Sequence, residues 1–221
     1  MRRAVIIDVV RSPFGKGREG GLLASVHPAD LYAQVLSELI HRTDVDPHLI
    51  EDVISGCVIQ VGEQSGNIGR QAALAAGLPE TTAAVTLDRK CGSAQQAMDF
   101  AAQGVIAGAY DAVIAGGVEM MSTVPMKANR MGKDNEGSMF HSRYPEGMIR
   151  QGISAELIAA RWNLSREDLD KFSLRSHKRA ASDVRRVNDM VTIDRPSRVD
   201  LKDESLRANT TIDKLASLDP A

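Results

Sequence analysis

Short apolar runs alternate with segments of helical spacing along the first half of the chain. Small and β-branched residues fill four runs, at 4–10, 52–58, 83–87 and 112–118, and this predicts four buried strands. Between these runs, apolar or small residues recur with the three- and four-residue spacing of helices. Strands that alternate with helices in this way predict an α/β fold, with a mostly parallel layered sheet and helices on both faces.

Proline and glycine mark the ends of the predicted helices. Pro28 suits the first position of the helix after strand one, and Gly77 suits the end of the next helix. The helix after strand three is predicted to run to about Ala107, with Gly108 as its C-terminal cap.

The pattern changes after Glu119. Residues 122–152 are rich in methionine, glycine and charge and show weak periodicity, and two helices are predicted beyond them, at about 154–162 and from Ser165 towards Val187. We therefore predict a core domain over residues 1–121 and a largely helical or irregular insertion over residues 122–221.

The composition of the chain argues against several classes of function. The net charge of −2, from 27 basic and 29 acidic residues, argues against a nucleic-acid-binding surface. Two cysteines suggest neither a disulfide framework nor a metal site, and no metal-ligand spacing occurs. Asp8 interrupts the N-terminal apolar run, and no segment is long enough to cross a membrane. We expect a cytoplasmic protein without a membrane or nucleic-acid partner.

Cys91 is the candidate nucleophile. It follows the apolar run 83–87 and a polar turn, and a small-residue helix begins directly after it. Unpaired N–H groups at a helix start favour the thiolate, which is the reactive form. Taken alone, the turn fits a buried, inert thiol equally well. Cys57, within the second strand, is interpreted as a packed thiol.

Four segments occur in one order along the chain: Arg-Ser-Pro-Phe-Gly at 11–15, Cys-Gly-Ser at 91–93, Gly-Gly-Val-Glu-Met-Met-Ser at 116–122, and the helix pair over 154–170. Each is weak alone, but together they resemble the thiolase family, and the resemblance runs from Ala4 to the last residue. In that family the glycines at 116 and 117 shape the site, and Glu119 is interpreted as a structural carboxylate.

The resemblance implies acyl transfer on thioesters of coenzyme A, which is a substrate; no covalently bound cofactor is expected. Cys91 would attack the carbonyl and carry the acyl group as a thioester. Gly92 would leave room for the substrate, and the Cys91 amide would help to bind the oxyanion. Met148 and Arg207 would contact coenzyme A. A homodimer or homotetramer is expected by analogy.

The chain also departs from the family pattern. It has Arg-Gln-Gly at 150–152, where many members have His-Met-Gly, so the acyl pocket is expected to differ. Cleavage of a 3-ketoacyl-CoA is therefore favoured over condensation of acetyl-CoA. The activating histidine, the second cysteine, the last strand of the first domain and the C-terminal domain are not recognised. We therefore expect a truncated first half that is inactive alone.

Two other functions remain open. The chain could be a non-catalytic thiolase-like protein that binds acyl-CoA or lipid, or a subunit completed by another chain. A ketoacyl synthase shares the strand–cysteine–helix site, but the segment 116–122 is more typical of a thiolase.

Overall fold

The computed structural model describes residues 2–183, 188–194 and 202–220. The chain forms two compact units, one of Met1–Met131 with Val187–Ser205 and one of Gly132–Arg186 with Leu206–Ala221. The first unit extends beyond residue 121, and a later segment of the chain returns to it. The pattern of apolar and polar residues does not predict that this later segment belongs to the first unit.

A parallel sheet forms the centre of the first unit. Its strands are β1 (Asp52–Gly56), β2 (Ala83–Leu87) and β3 (Val113–Gly117), in the order β2-β1-β3. The central strand β1 pairs in parallel with both neighbours. Three of the four predicted strands are therefore confirmed, and they end together at one edge of the sheet.

Helices cover both faces of this sheet, as predicted. On one face, α1 (Pro28–Thr43) and α2 (Ile68–Ala75) bury a cluster that includes Val53 and Ile114. On the other face, α3 (Ser93–Ala107) packs Ala97 and Ala101 against Ile54. Consecutive residues of β1 thus point to opposite faces, which is the two-residue period of a strand.

The segment 4–10 forms no strand, so that prediction is wrong. Val5, Ile6 and Ile7 are 78%, 72% and 78% exposed, and the nearest pairing is a single parallel bridge between Arg11 and Met190. Apolar composition can predict burial, but a strand also needs a hydrogen-bonded neighbour.

A cavity lies along the free edge of β3, where no strand pairs with it in the described residues. Strand β3 pairs with β1 and lies at an edge of the described sheet. A cavity of about 560 Å³ lies beside it, lined by apolar residues of the segment 6–10, by residues 114–118 and by α1. The apolar segment 4–10 therefore borders a space instead of a strand.

The second unit is helical in its described parts. Its helices are α4 (Gly137–Arg143), α5 (Gln151–Arg161), α6 (Arg166–Ser182) and α7 (Ile212–Ala216). The predicted capping box is present, since the Ser165 side chain accepts from the Asp168 amide and the Asp168 carboxylate accepts from the Ser165 amide. The predicted extension of α6 to Val187 falls on residues 184–187, outside the described residues. No helix of the described chain combines the length and apolarity needed to cross a bilayer.

Two glycines let the first turn of α3 rest on the ends of the strands. A Cβ atom on Gly56 would lie 2.5 Å from the backbone nitrogen of Ala94 in α3. One on Gly117 would lie 2.7 Å from the Gly56 oxygen of the neighbouring strand and 3.2 Å from the Ala94 Cβ atom. The two contacts with backbone atoms are shorter than real Cβ contacts, so only glycine fits at these positions without a backbone shift. This contact fixes the start of α3 against the carboxyl ends of β1 and β3.

We predict that Gly56→Ala destabilises the protein by about 1–3 kcal/mol, because the added methyl group overpacks a contact made by backbone. Chemical denaturation followed by circular dichroism measures the change. Gly92→Ala is the matched control for folding, since its Cβ atom would meet only the Arg89 oxygen at 3.4 Å. Equal stability of the Gly56→Ala variant and the unmodified chain would contradict the prediction.

Candidate active site

Cys91 lies in the turn that joins β2 to α3. The strand ends at Leu87 and the helix begins at Ser93, with Gly92 as its N-cap residue. The thiol is free and exposed. It therefore lies at the carboxyl edge of a parallel sheet, where ligands of open α/β folds bind.

Ser93 closes the turn around Cys91. Its hydroxyl accepts a hydrogen bond from the Arg89 amide at 2.8 Å and donates to the Lys90 oxygen at 2.6 Å. The Ser93 amide also donates to the Lys90 oxygen, and the Gly92 amide donates to the Arg89 oxygen. Because Ser93 itself is buried, these bonds hold the turn that carries the exposed cysteine in one conformation.

Lys90 has a left-handed backbone, with φ of 51°. The Asp88 carboxylate stabilises this conformation by accepting from the Lys90 amide at 2.7 Å and from its ammonium group at 2.5 Å. Partial burial opposes ionisation of Asp88, but the bonds from Lys90 outweigh it, so the pKa of this carboxyl lies below its ordinary value. The Arg89 guanidinium is bound in turn by the Gln96 side chain.

Gly92 has open space around it. Its backbone lies at φ −91° and ψ 9°, which does not require glycine. The nearest atom to an added Cβ would be the Arg89 oxygen, in ordinary van der Waals contact. Packing of the chain itself therefore gives no reason for a glycine beside the thiol.

Cys57 differs from Cys91 in being buried. It is 1% exposed and packs with Ala29 and Ile68. Burial, and then the negative charge of Glu119, raise the pKa of the Cys57 thiol to about 12. Cys57 is therefore a protonated core residue at neutral pH.

Glu119 follows β3 and binds the loop that follows β1. Its carboxylate accepts hydrogen bonds from the amides of Val58 at 2.7 Å and Ile59 at 3.4 Å, and from the Gln64 side chain at 2.8 Å. Gln64 is fully buried. The sequence interpretation of Glu119 as a structural carboxylate agrees with these contacts.

Met148 and Arg207, the residues predicted to contact coenzyme A, belong to the second compact unit. Met148 is 69% exposed, and Arg207 is also exposed. The Arg207 amide donates to Nδ1 of His177 at 3.4 Å. Their contacts with coenzyme A stay a prediction.

One group of side chains in the described residues has the composition of a metal site. Asp134, Glu136 and His141 bring possible ligand atoms within 4.8 Å of one another. The bonds from the Glu136 and Gly137 amides, and then from His141, lower the pKa of Asp134. Local turn geometry thus accounts for this exposed cluster, and we assign no metal to it.

Sequence reasoning missed three polar residues that shape the strand ends. Asn67 has a left-handed backbone with φ of 62°, donates to the Ala84 oxygen at 2.9 Å and accepts from the Thr86 hydroxyl at 2.7 Å. The Gly-Asn pair at 66–67 is a recognisable signal for such a turn. Ser93 bonds within its own turn, to Arg89 and Lys90, but no motif marks it. Gln64 gave no signal, because its partners Glu119 and Met120 lie on another segment.

Comparison with known proteins identifies the family of the chain. The family model described as "Thiolase, N-terminal domain" matches residues 4–221. The chain is similar to the steroid 3-ketoacyl-CoA thiolase FadA6 of Mycobacterium tuberculosis, with 42% identity over 100% of the chain and 56% of that protein. It is also similar to a 3-ketoacyl-CoA thiolase of Shewanella denitrificans, with 37% identity over 100% of the chain and 58% of that protein.

A solved structure supports the same assignment. The chain resembles the crystal structure of the Bacillus anthracis acetyl-CoA acetyltransferase, with a TM-score of 0.81 and 36% sequence identity. The match covers 100% of the chain and 59% of that structure. The chain thus spans somewhat more than half the length of its curated relatives, and it belongs to the thiolase family, corresponding to that family's N-terminal part.

Proposed function

We propose that Cys91 is the acyl acceptor of a thiolase-type acyltransferase that acts on thioesters of coenzyme A. The observation that carries the proposal is the exposed thiol on a fixed turn at the start of α3. Such a turn brings a nucleophile to the open edge of a parallel sheet, next to the N–H groups of a helix start.

The chemistry needs one covalent intermediate. With an acyl-CoA, the Cys91 sulfur adds to the thioester carbonyl, the bond from carbon to the sulfur of coenzyme A breaks, and coenzyme A leaves and takes up a proton. With a 3-ketoacyl-CoA, the sulfur adds to the 3-keto carbon, the bond between C2 and C3 breaks with its electron pair going to C2, and C2 takes up a proton, which releases acetyl-CoA. Both routes leave an acyl group on Cys91, which is then passed to a second substrate.

Cleavage of a 3-ketoacyl-CoA is the favoured direction. Two relatives carry this substrate in their names, and one of them is a steroid thiolase. The Arg-Gln-Gly segment at 150–152, at the start of α5, supports an acyl pocket unlike that of short-chain enzymes.

The open space beside Gly92 supports the proposal. Since neither backbone angle nor packing requires a glycine there, its missing side chain is best explained by a molecule that approaches the thiol from outside. Contacts of Met148 and Arg207 with coenzyme A, a homodimeric or homotetrameric assembly and a cytoplasmic location belong to the same proposal.

We predict an acyl adduct on Cys91 when the pure chain is incubated with acetyl-CoA or acetoacetyl-CoA. Intact-mass spectrometry detects the added acetyl group, and peptide mapping locates it. Cys91→Ser is the matched control, because it removes the thiol and keeps Cys57. Binding of coenzyme A without an adduct would contradict acyl transfer and support a non-catalytic binding protein.

We predict no turnover of acetoacetyl-CoA by the 221-residue chain alone. A thiolase cycle needs a second proton carrier, and Cys57, the only other cysteine of the sequence, is buried with a pKa of about 12. The assay follows loss of the 3-ketoacyl-CoA absorbance after addition of coenzyme A. Sustained turnover that disappears in the Cys91→Ser variant would overturn this expectation.

We predict that the Cys91 turn loosens in acid. The pKa of Asp88 is lowered in the folded chain, so its stabilising contacts are complete above the ordinary pKa of about 3.9 and are lost as pH falls through the lower folded value. The Lys90 amide resonance, followed by NMR from about pH 6 to about pH 2.5, reports the loss. In Asp88→Asn the same titration step should vanish, and its persistence would show that another group is responsible.

A further inference from the structure

The carboxylate of Glu119 is held by donors from a different part of the chain. Both of its oxygens accept hydrogen bonds: one from the Val58 amide, and the other from the Ile59 amide and the Gln64 side chain. Three donors converge on it. The loop after β3 is thereby tied to the loop after β1 by a charge-assisted contact, the strong class of hydrogen bond.

Gln64 makes this contact rigid. Its side-chain nitrogen donates to the Ile59 oxygen at 2.9 Å as well as to Glu119, and its oxygen accepts from the Met120 amide at 2.5 Å. Because Gln64 is fully buried, it cannot turn to water for a replacement partner. Loss of the Glu119 carboxylate would therefore disturb both loops together.

Backbone hydrogen bonds connect these loops with the Cys91 turn. The Val118 amide donates to the Gly56 oxygen at 3.0 Å, and the Cys57 amide donates to the Leu87 oxygen at 3.0 Å. Asp88, the residue after Leu87, is the first residue of the turn. Gly56 also lies directly beneath the first turn of α3.

We propose that Glu119 is a positioning residue for Cys91, which fixes the carboxyl ends of β3, β1 and β2 and through them the turn that presents the thiol. Glu119 follows β3 and Cys91 follows β2, on opposite sides of the central strand β1, so Glu119 acts without contact with the cysteine. The inference deepens the proposed function and rests on it for its catalytic meaning, while its geometric content concerns the thiol alone.

The test compares Glu119→Ala and Glu119→Gln with the unmodified chain. Alanine removes all three hydrogen bonds, whereas glutamine keeps one acceptor oxygen and places an N–H₂ group where the other oxygen accepted. Glu63→Gln is the matched control, since Glu63 is an exposed carboxylate in the adjoining turn Gly62–Gln64. Circular dichroism selects a temperature at which all four proteins are folded.

The first arm measures alkylation of Cys91 by iodoacetamide, read by peptide mass spectrometry. We expect a rate about three- to tenfold lower in Glu119→Ala, an intermediate rate in Glu119→Gln and an unchanged rate in Glu63→Gln, because a sulfur displaced from the N–H groups of the helix start loses their stabilisation of its reactive form. Cys57 is the internal monitor: its continued protection shows that the core stays closed. If Glu119→Ala exposes Cys57, the comparison of Glu119→Gln with Glu63→Gln decides.

The second arm measures acylation by acetyl-CoA as a function of its concentration. A positioning role lowers the maximal rate and leaves the half-saturating concentration unchanged. If the unmodified chain is alkylated but never acylated, the proposed function fails and the first arm still tests Glu119. Equal alkylation of Cys91 in all four proteins, with Cys57 protected, would overturn the positioning role.

Discussion

The contact between the first turn of α3 and the glycine ends of β1 and β3 is the constraint on which the candidate site depends. The backbone of α3 lies directly against strand backbone at Gly56, and at Gly117 the nearest atoms are the Gly56 oxygen and the Cβ atom of Ala94. Such a contact admits very little displacement, because backbone atoms cannot change rotamer to make room. The position of the Cys91 turn is therefore set by the packing of α3 against the sheet, and the residues of the turn set only its local conformation.

Polar side chains then refine what packing has fixed. Ser93 closes the turn from the helix side, and Asp88 holds the left-handed Lys90. On the other side, Glu119 and Gln64 bind the loops that continue β1 and β3. The cysteine itself remains exposed while the atoms that carry it are buried or bonded, which is the arrangement expected of a preorganised nucleophile.

Local sequence signals predicted the parts of the fold whose determinants are local. The strand Ala83–Leu87 and the helix Ser93–Ala107 have the predicted bounds, since strand composition, a polar turn and a glycine cap all lie within one short stretch. The run 4–10 has equally strong strand composition and forms none, because pairing depends on a neighbour that composition does not describe. Gln64 escaped notice for a related reason: its partners Ile59, Met120 and Glu119 converge only in the folded chain.

The three-stranded sheet also has an unequal distribution of local stability. Strand β1 shares hydrogen bonds with two neighbours, whereas β2 and β3 each share them with one, and β3 also borders the cavity beside α1. Opening of β1 breaks two ladders at once, so we expect its amides to be the best protected from exchange with solvent. The outer edge of β3 can fray without that cost. Cys91 follows β2, which pairs along its whole length with the central strand β1. The candidate nucleophile is therefore one ladder away from the strand that opens last.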